Sequence, residues 1–203
     1  MMNAWKLKIL SLSFQYDSHH IFSNLSWEIL NGSLLVLKGS NGIGKSTLLK
    51  LIAGLLKPSD GFVSFDSYQP KLAYYSGLPG LYLDLTALDN LNYFSSLENK
   101  APEYLKQIIT DFNLGAFFER PIRHLSQGEK ARCALASLFL SDADFFILDE
   151  PLNTLDVSFR KKFIGYLQEQ VSQQKTILMT THSLEGLDGI SCFQLTNSGI
   201  TKC

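Results

Sequence analysis

The sequence predicts an α/β domain, a mostly parallel sheet covered by helices on both faces. Three observations carry that expectation. Short apolar runs alternate with helical stretches, the pattern of strands joined by crossover helices. The run Leu34-Leu35-Val36-Leu37 leads into a glycine-rich stretch, Gly39-Ser40-Asn41-Gly42-Ile43-Gly44-Lys45-Ser46. A second run, Phe145-Phe146-Ile147-Leu148, ends in the carboxylates Asp149 and Glu150. Four apolar residues in a row suit a strand buried on both faces.

In chain order, residues 7–14 and 25–29 alternate as strands do. After the glycine-rich stretch, Leu48, Leu49, Leu51, Ile52, Leu55 and Leu56 predict an apolar helix, closed by Gly54 near its end and by Pro58. Residues 62–65 and 71–75 read as short strands. From Thr86 to Phe118 the signal is helical, an insertion that should stand apart from the sheet. A further helix starts at Ser126 and runs through Leu138, so that the helical subdomain covers about 84–140 of a single domain spanning 1–203. Residues 158–174 predict an amphipathic helix with Phe159, Phe163, Leu167 and Val171 on one face. Residues 176–181 read as a strand.

A content of 45% hydrophobic residues in 203 is enough for a substantial core. A net charge of −1 and a pI near 6.4 give no case for nucleic acid as a main partner. Cys133, Cys192 and Cys203 show no metal or redox spacing and are read as core or terminal thiols in a reducing compartment. The His19-His20 pair reads as a solvated turn. The chain shows no signal-peptide pattern, and no apolar run approaches about 18 residues, so it is expected not to span a membrane by itself.

Gly39 to Ser46 fit G-x-x-x-x-G-K-[ST], which a chain of this length matches by accident on the order of one time in a hundred. The glycines let successive N–H groups point into one hollow, and the helix that follows adds its positive end. Lys45 is placed to reach the β- and γ-phosphates of a nucleotide, and the Ser46 hydroxyl to ligate Mg²⁺. Asp149 fits a Mg²⁺-associated carboxylate and Glu150 a general base for an attacking water. Read alone, Asp149-Glu150-Pro151 is equally a surface turn. Leu125-Ser126-Gln127-Gly128-Glu129 opens a helix as a capping box, and the same geometry makes an anion site. By itself the pattern favours capping.

This constellation resembles the nucleotide-binding domain of the ATP-binding-cassette (ABC) family: a phosphate loop, LSQGE as signature, FFILDEP as acidic strand, Asn153-Thr154-Leu155-Asp156 after it, and Thr180-Thr181-His182 as switch. The resemblance implies a P-loop NTPase core with a mostly parallel sheet, an N-terminal antiparallel β subdomain and a helical insertion. It implies an ATPase that forms a head-to-tail dimer with a second ABC subunit, two ATP molecules lying between them. The loop Gly39, Ser40, Asn41, Gly42, Ile43, Gly44, Lys45, Ser46 and Thr47 of one subunit then faces Ser126 and Gly128 of the other. His182 contacts the γ-phosphate, Asp156 links the two sites, and Tyr16 stacks on adenine. Without the family, His182 is an ordinary strand-end histidine and Tyr16 a core or edge-strand tyrosine.

Departures are equally specific. The family's usual glutamine is replaced by Leu78, and a leucine cannot ligate a metal. Gln127 stands for a common glycine and Glu129 for a common glutamine. A carboxylate there suits the helix dipole but opposes a phosphate, so Glu129 is expected to point away from the nucleotide.

No fused membrane domain, second cassette, or coiled-coil or zinc-hook insertion is expected, which favours a stand-alone ATPase docking on a transmembrane permease over cassettes acting on ribosomes or DNA. Residues 74–80 with Asp84-Leu85-Thr86-Ala87-Leu88-Asp89-Asn90-Leu91 resemble the ATP-binding subunits of the haem exporters of bacterial cytochrome c maturation. That resemblance implies a peripheral protein on the cytoplasmic face of the inner membrane, driving release of a haem-loaded chaperone. No residue here is assigned to haem. Another small ABC exporter, or a weakly hydrolysing regulatory subunit, is the alternative. The membrane contact is placed at the groove around residues 78–83 and the helical insertion, where Leu81, Tyr82 and Leu83 are either a docking patch or subdomain core.

Overall fold

The structure, a computed structural model, describes residues 5–77, 80–183 and 185–203. Leu78 and Pro79 therefore lie outside the described residues.

The chain opens with a hairpin, β1 (Lys6–Tyr16) and β2 (His19–Leu30). It continues through β3 (Leu34–Lys38), α1 (Lys45–Ile52), β4 (Asp60–Phe65) and β5 (Leu72–Tyr75). The helical segment holds α2 (Ala87–Leu97), α3 (Pro102–Asp111), a 3₁₀ turn at Ile122–His124 and α4 (Gln127–Phe139). Then come β6 (Phe145–Leu148), α5 (Val157–Ser172), β7 (Thr176–Thr180), β8 (Ser191–Thr196) and β9 (Gly199–Lys202).

Two sheets form among the described residues. One is antiparallel, in the order β2-β1-β4. The other runs β5-β6-β7-β3-β8-β9 and is parallel except for its last pair. Alternation divides the six-stranded sheet's side chains between two cores. Val36, Ala73, Phe146, Leu148, Ile177 and Met179 face α2 to α5. Leu35, Leu37, Phe145, Ile147 and Leu178 face α1 and the antiparallel sheet, where Trp5, Leu7, Ile9 and Trp27 are buried. A strand covered on both faces needs apolar residues at every position, which is why β3 and β6 read as unbroken apolar runs.

The structure differs from the sequence reading in four places. The helix after the phosphate loop ends at Ile52, with Leu55 outside it and 60% exposed. Gly54 stops it: at φ 73° its N–H bonds Leu51 O, while Leu55 N–H bonds Lys50 O, a Schellman ending. The stretch from Thr86 to Phe118 is two helices, since Asn99 turns left-handed and Pro102 starts α3 afresh. His19 and His20 are exposed as expected but belong to β2 rather than to a turn. The hairpin β8–β9 has no counterpart in the sequence reading.

The core facing α2 to α5 centres on Phe112, 1% exposed. Its ring lies 5.9 Å from Phe139, 6.1 Å from Phe159, 5.9 Å from Phe163 and 5.1 Å from Tyr166, tying the end of α3 to α4 and α5. Truncating it leaves a cavity that surrounding helices cannot close, so Phe112→Ala is expected to lower unfolding free energy by about 3–5 kcal/mol. The check is a urea midpoint that falls at unchanged slope.

Candidate functional site

The parallel strands end at one edge, and the chemistry gathers there. β3 feeds the loop from Gly39 to Gly44, and α1 starts at Lys45. Gly42 (φ 77°) and Gly44 (φ 103°) are left-handed, a region side chains resist. At Gly44 there is also no room: a Cβ would stand 2.5 Å from Ile21 Cγ2 and 2.8 Å from Phe22 Cζ. No side chain caps α1. Its first intrahelical donor is Leu48 N–H to Gly44 O at 2.8 Å, which leaves the N–H groups of Lys45, Ser46 and Thr47 for an anion. Lys45 is buried, its Nζ donating to Gly39 O at 2.9 Å and Ser40 O at 3.2 Å.

Two strands away, Asp149 and Glu150 follow β6. A cleft of about 350 Å³ is lined by Ser46, Asp149, Glu150 and Asn153 among others. Ser46 and Asp149 offer hard oxygen donors in one cleft, a set that suits a small divalent cation shared with phosphate oxygens. His182 Nε2 lies 2.5 Å from Glu150 Oε1, and Asn153 Nδ2 donates to Oε2, so both carboxylate oxygens are engaged. Glu150 itself is left-handed at φ 51°, rare for a residue with a side chain. A larger cleft, about 880 Å³, continues from Asn153 and His182 towards Arg160 and Lys161.

The other sequence-predicted residues lie around this centre. Tyr16 ends β1, 43% exposed, its ring edge-on to Phe14 at 4.8 Å, which removes the core reading. Phe14 pairs with Phe22, the residue beneath Gly44. Ser126 and Gly128 open α4 and do not line the Ser46–Asp149 cleft. Gly128 instead abuts the loop after β6, where a Cβ would stand 3.0 Å from Thr154 O. Asp156 caps α5, accepting from Phe159 N–H at 2.9 Å, and pairs with Arg132 Nη2 at 2.8 Å. Leu81 is buried, whereas Tyr82 and Leu83 are about half exposed, so that short stretch is part core and part surface.

Glu129 turns back on its own helix. Its Oε2 accepts Ser126 N–H at 2.7 Å, completing the capping box, and its Oε1 lies 3.2 Å from Arg120. Two residues quoted in the motifs carry contacts to which the sequence reading gave no role: Asn153, on Glu150, and Thr180, which bonds Asp149 and Glu150 together. Their position inside the motif strings was the available signal.

A strand, a phosphate-cradling loop and a helix, with an acid-tipped parallel strand two places away in the same sheet, define a P-loop nucleotide-binding ATPase. The ABC transporter family profile matches residues 22–153, and the chain belongs to that family. The cytochrome c biogenesis ATP-binding export protein CcmA of Nitrosomonas europaea is 36% identical over 179 residues, covering 81% of this chain and 82% of that protein. The protein of that name from Reclinomonas americana is 35% identical over 174 residues (80% and 78%), and that from Escherichia coli O157:H7 32% over 185 (87% and 88%). Among solved structures, the ATP-binding subunit of an ABC transporter superposes with a TM-score of 0.84 at 25% identity, over 97% of this chain and 89% of that one. A nucleotide-free ATP-binding cassette reaches 0.80 at 19% identity, over 98% and 90%, a likeness of fold alone. No helix of the described residues is long and apolar enough to cross a membrane.

Two outcomes follow from this geometry. Gly44→Ala forces a left-handed alanine into Ile21 and Phe22, a strain of about 1–2 kcal/mol before the clash is counted. Titration with a fluorescent ATP analogue should show affinity reduced by about tenfold or more. The second concerns Glu129, whose carboxyl is held below its ordinary 4.5 first by the Ser126 N–H, with the Ser126 hydroxyl and the Arg120 and Arg132 cations adding to it. A depressed carboxyl stabilises the fold fully above its unfolded value and loses that contribution as pH falls through the folded one. Glu129→Gln should therefore unfold more easily than the parent at neutral pH, the gap closing in acid below pH 4.5, with nucleotide affinity unchanged or better.

Proposed function

We propose that this chain is the ATP-hydrolysing subunit of a membrane ABC exporter serving cytochrome c biogenesis, in haem export or release of a haem-loaded chaperone. The observation that carries the chemistry is the single cleft shared by Ser46, Asp149 and Glu150 beside the phosphate loop. The biological setting rests on the relatives named for cytochrome c biogenesis export, which align with 81% and 87% of the chain.

In this reading residues 1–203 act as one nucleotide-binding domain, with 84–140 as its helical subdomain. The N–H groups of the loop from Gly39 to Thr47 hold the phosphates of ATP, and Lys45 exchanges its carbonyl partners for the β- and γ-oxygens. Tyr16 stacks on adenine. Ser46 and Asp149 hold Mg²⁺, which when bound neutralises charge on the phosphate oxygens. Glu150 accepts the proton of the attacking water, and His182 orients Glu150 while contacting the γ-phosphate. Ser126 and Gly128 of a second ABC subunit, identical or not, close over the nucleotide, and Asp156 links the two sites. The dimer docks on transmembrane permease subunits at the cytoplasmic face, through the surface bearing Tyr82 and Leu83. Haem is left to those partners, and nucleic acid has no part.

A second reading, a regulatory subunit that binds ATP and turns over poorly, draws on Leu78 at the family's glutamine position. Glu150→Gln separates the two. Loss of the base should cut turnover by about 100-fold or more and accumulate an ATP-bound dimer. Pulled from native membranes in that trapped form, the protein should bring down cytochrome c maturation membrane proteins. An unrelated permease instead would remove the haem role, and parent hydrolysis already at background would favour the regulatory subunit.

A further inference from the structure

Thr180, the last residue of β7, is fully buried, and its hydroxyl makes two hydrogen bonds at once. It accepts the backbone N–H of Glu150 at 2.8 Å and donates its one proton to Asp149 Oδ1 at 2.8 Å. Strand pairing brings the three together. Leu148 lies opposite Met179 in the β6–β7 register, so the next residue on each strand, Asp149 and Thr180, are adjacent.

The two bonds act on different features. The first ties down Glu150 where its backbone is left-handed at φ 51°, a conformation that persists only when its surroundings over-determine it. The second fixes the carboxylate of Asp149 where it lines the cleft shared with Ser46. Two residues further on, the same strand end delivers His182 to Glu150 Oε1. A threonine that only satisfied its own buried hydroxyl would need one partner. This one spans the acid placed for the metal and the acid placed for the base.

We propose that Thr180 is a positioning residue that sets Asp149 and Glu150 as one unit, so that the metal site and the base move together. The inference rests on the roles given to Asp149 and Glu150 above.

The test uses the full chain and Mn²⁺ with a non-hydrolysable ATP analogue, bound metal being read by electron paramagnetic resonance, with steady-state ATP hydrolysis alongside. Thr180→Val keeps the shape and the strand preference and removes only the hydrogen bonds. Removing an outer partner of a metal-associated carboxylate typically costs about 10- to 100-fold in affinity or rate. Mn²⁺ should accordingly bind at least about tenfold more weakly, and kcat should fall by a similar factor with KM for ATP nearly unchanged. Thr180→Ser should restore both, a rescue that a role in packing alone would not give. Thr180→Ala carries the same expectation as Thr180→Val, so the outcome does not depend on one variant folding. Parent-like Mn²⁺ binding and turnover in Thr180→Val, or equal damage in Thr180→Val and Thr180→Ser, would overturn the inference. Asp149→Asn separates the levels. If it loses Mn²⁺ and Thr180→Val does not, only this inference falls. If it binds Mn²⁺ like the parent, the metal role of Asp149 falls and takes the inference with it.

Discussion

The pairing of β7 between β3 and β6 is the constraint on which the site depends. Leu37 lies opposite Thr180 on one side of β7, and Leu148 opposite Met179 on the other. With those two registers set, the phosphate loop leaving β3, the acids leaving β6 and the Thr180–His182 tail of β7 emerge at the same edge. A one-residue slip would turn every side chain of the slipped strand to the other face, and both faces are buried, so the register has no cheap alternative. Burial of each strand's apolar residues in two separate cores is thus what holds phosphate donors and carboxylates at working distance.

The two cores do different work. The one containing α1 and the antiparallel sheet braces the phosphate loop from behind, through Phe22 and Ile21 against Gly44. The other, rich in stacked aromatic rings, joins the helical segment to the sheet and to α5. Arg132 crosses this second core at its surface, over the rings of Phe117 and Phe159 and paired to Asp156. The start of α4 and the loop after β6 therefore share a packing contact and an ion pair, so a shift in either is felt by the other. The apolar stem beneath that charge matters as much as the pair, because half-exposed ion pairs contribute little by themselves.

Legibility in the sequence followed burial and chemistry. β3 and β6 were readable because a strand covered on both faces is apolar at every position, and the loop because phosphate cradling requires glycine at Gly42 and Gly44. The capping box at Ser126 and Glu129 was readable since both partners lie within one turn. The hairpin β8–β9 was not, because all but one of its residues are only partly buried or exposed, so neither an apolar run nor a clean alternation marks it. The break at Asn99 to Pro102 was masked by apolar spacing that continues across it, although Pro102 was in plain view. Leu55 misled because apolar residues beyond a Schellman glycine mimic another helical turn. Thr180 and Asn153 stood inside quoted motifs, yet their roles depend on distances between strand ends, which no local pattern encodes.

The engagement of Glu150 bears on how the cleft can work. Both of its oxygens are in contact, His182 Nε2 against one and Asn153 Nδ2 donating to the other, while its backbone is held by Thr180. A carboxylate so placed is well oriented, and each of its oxygens keeps a lone pair for a further donor such as water. His182 is the partner that can leave. It sits on the exposed segment after β7, its side chain 43% exposed, whereas Asn153 is anchored three residues from Glu150 on the same turn. In the proposed reading a γ-phosphate would meet the same His182 side chain that touches Oε1, while Asn153 and Thr180 keep the carboxylate aimed. The side chain that orients the proposed base would then also meet the nucleotide, which would couple the carboxylate's aim to bound nucleotide without moving the strand that leads to both acids.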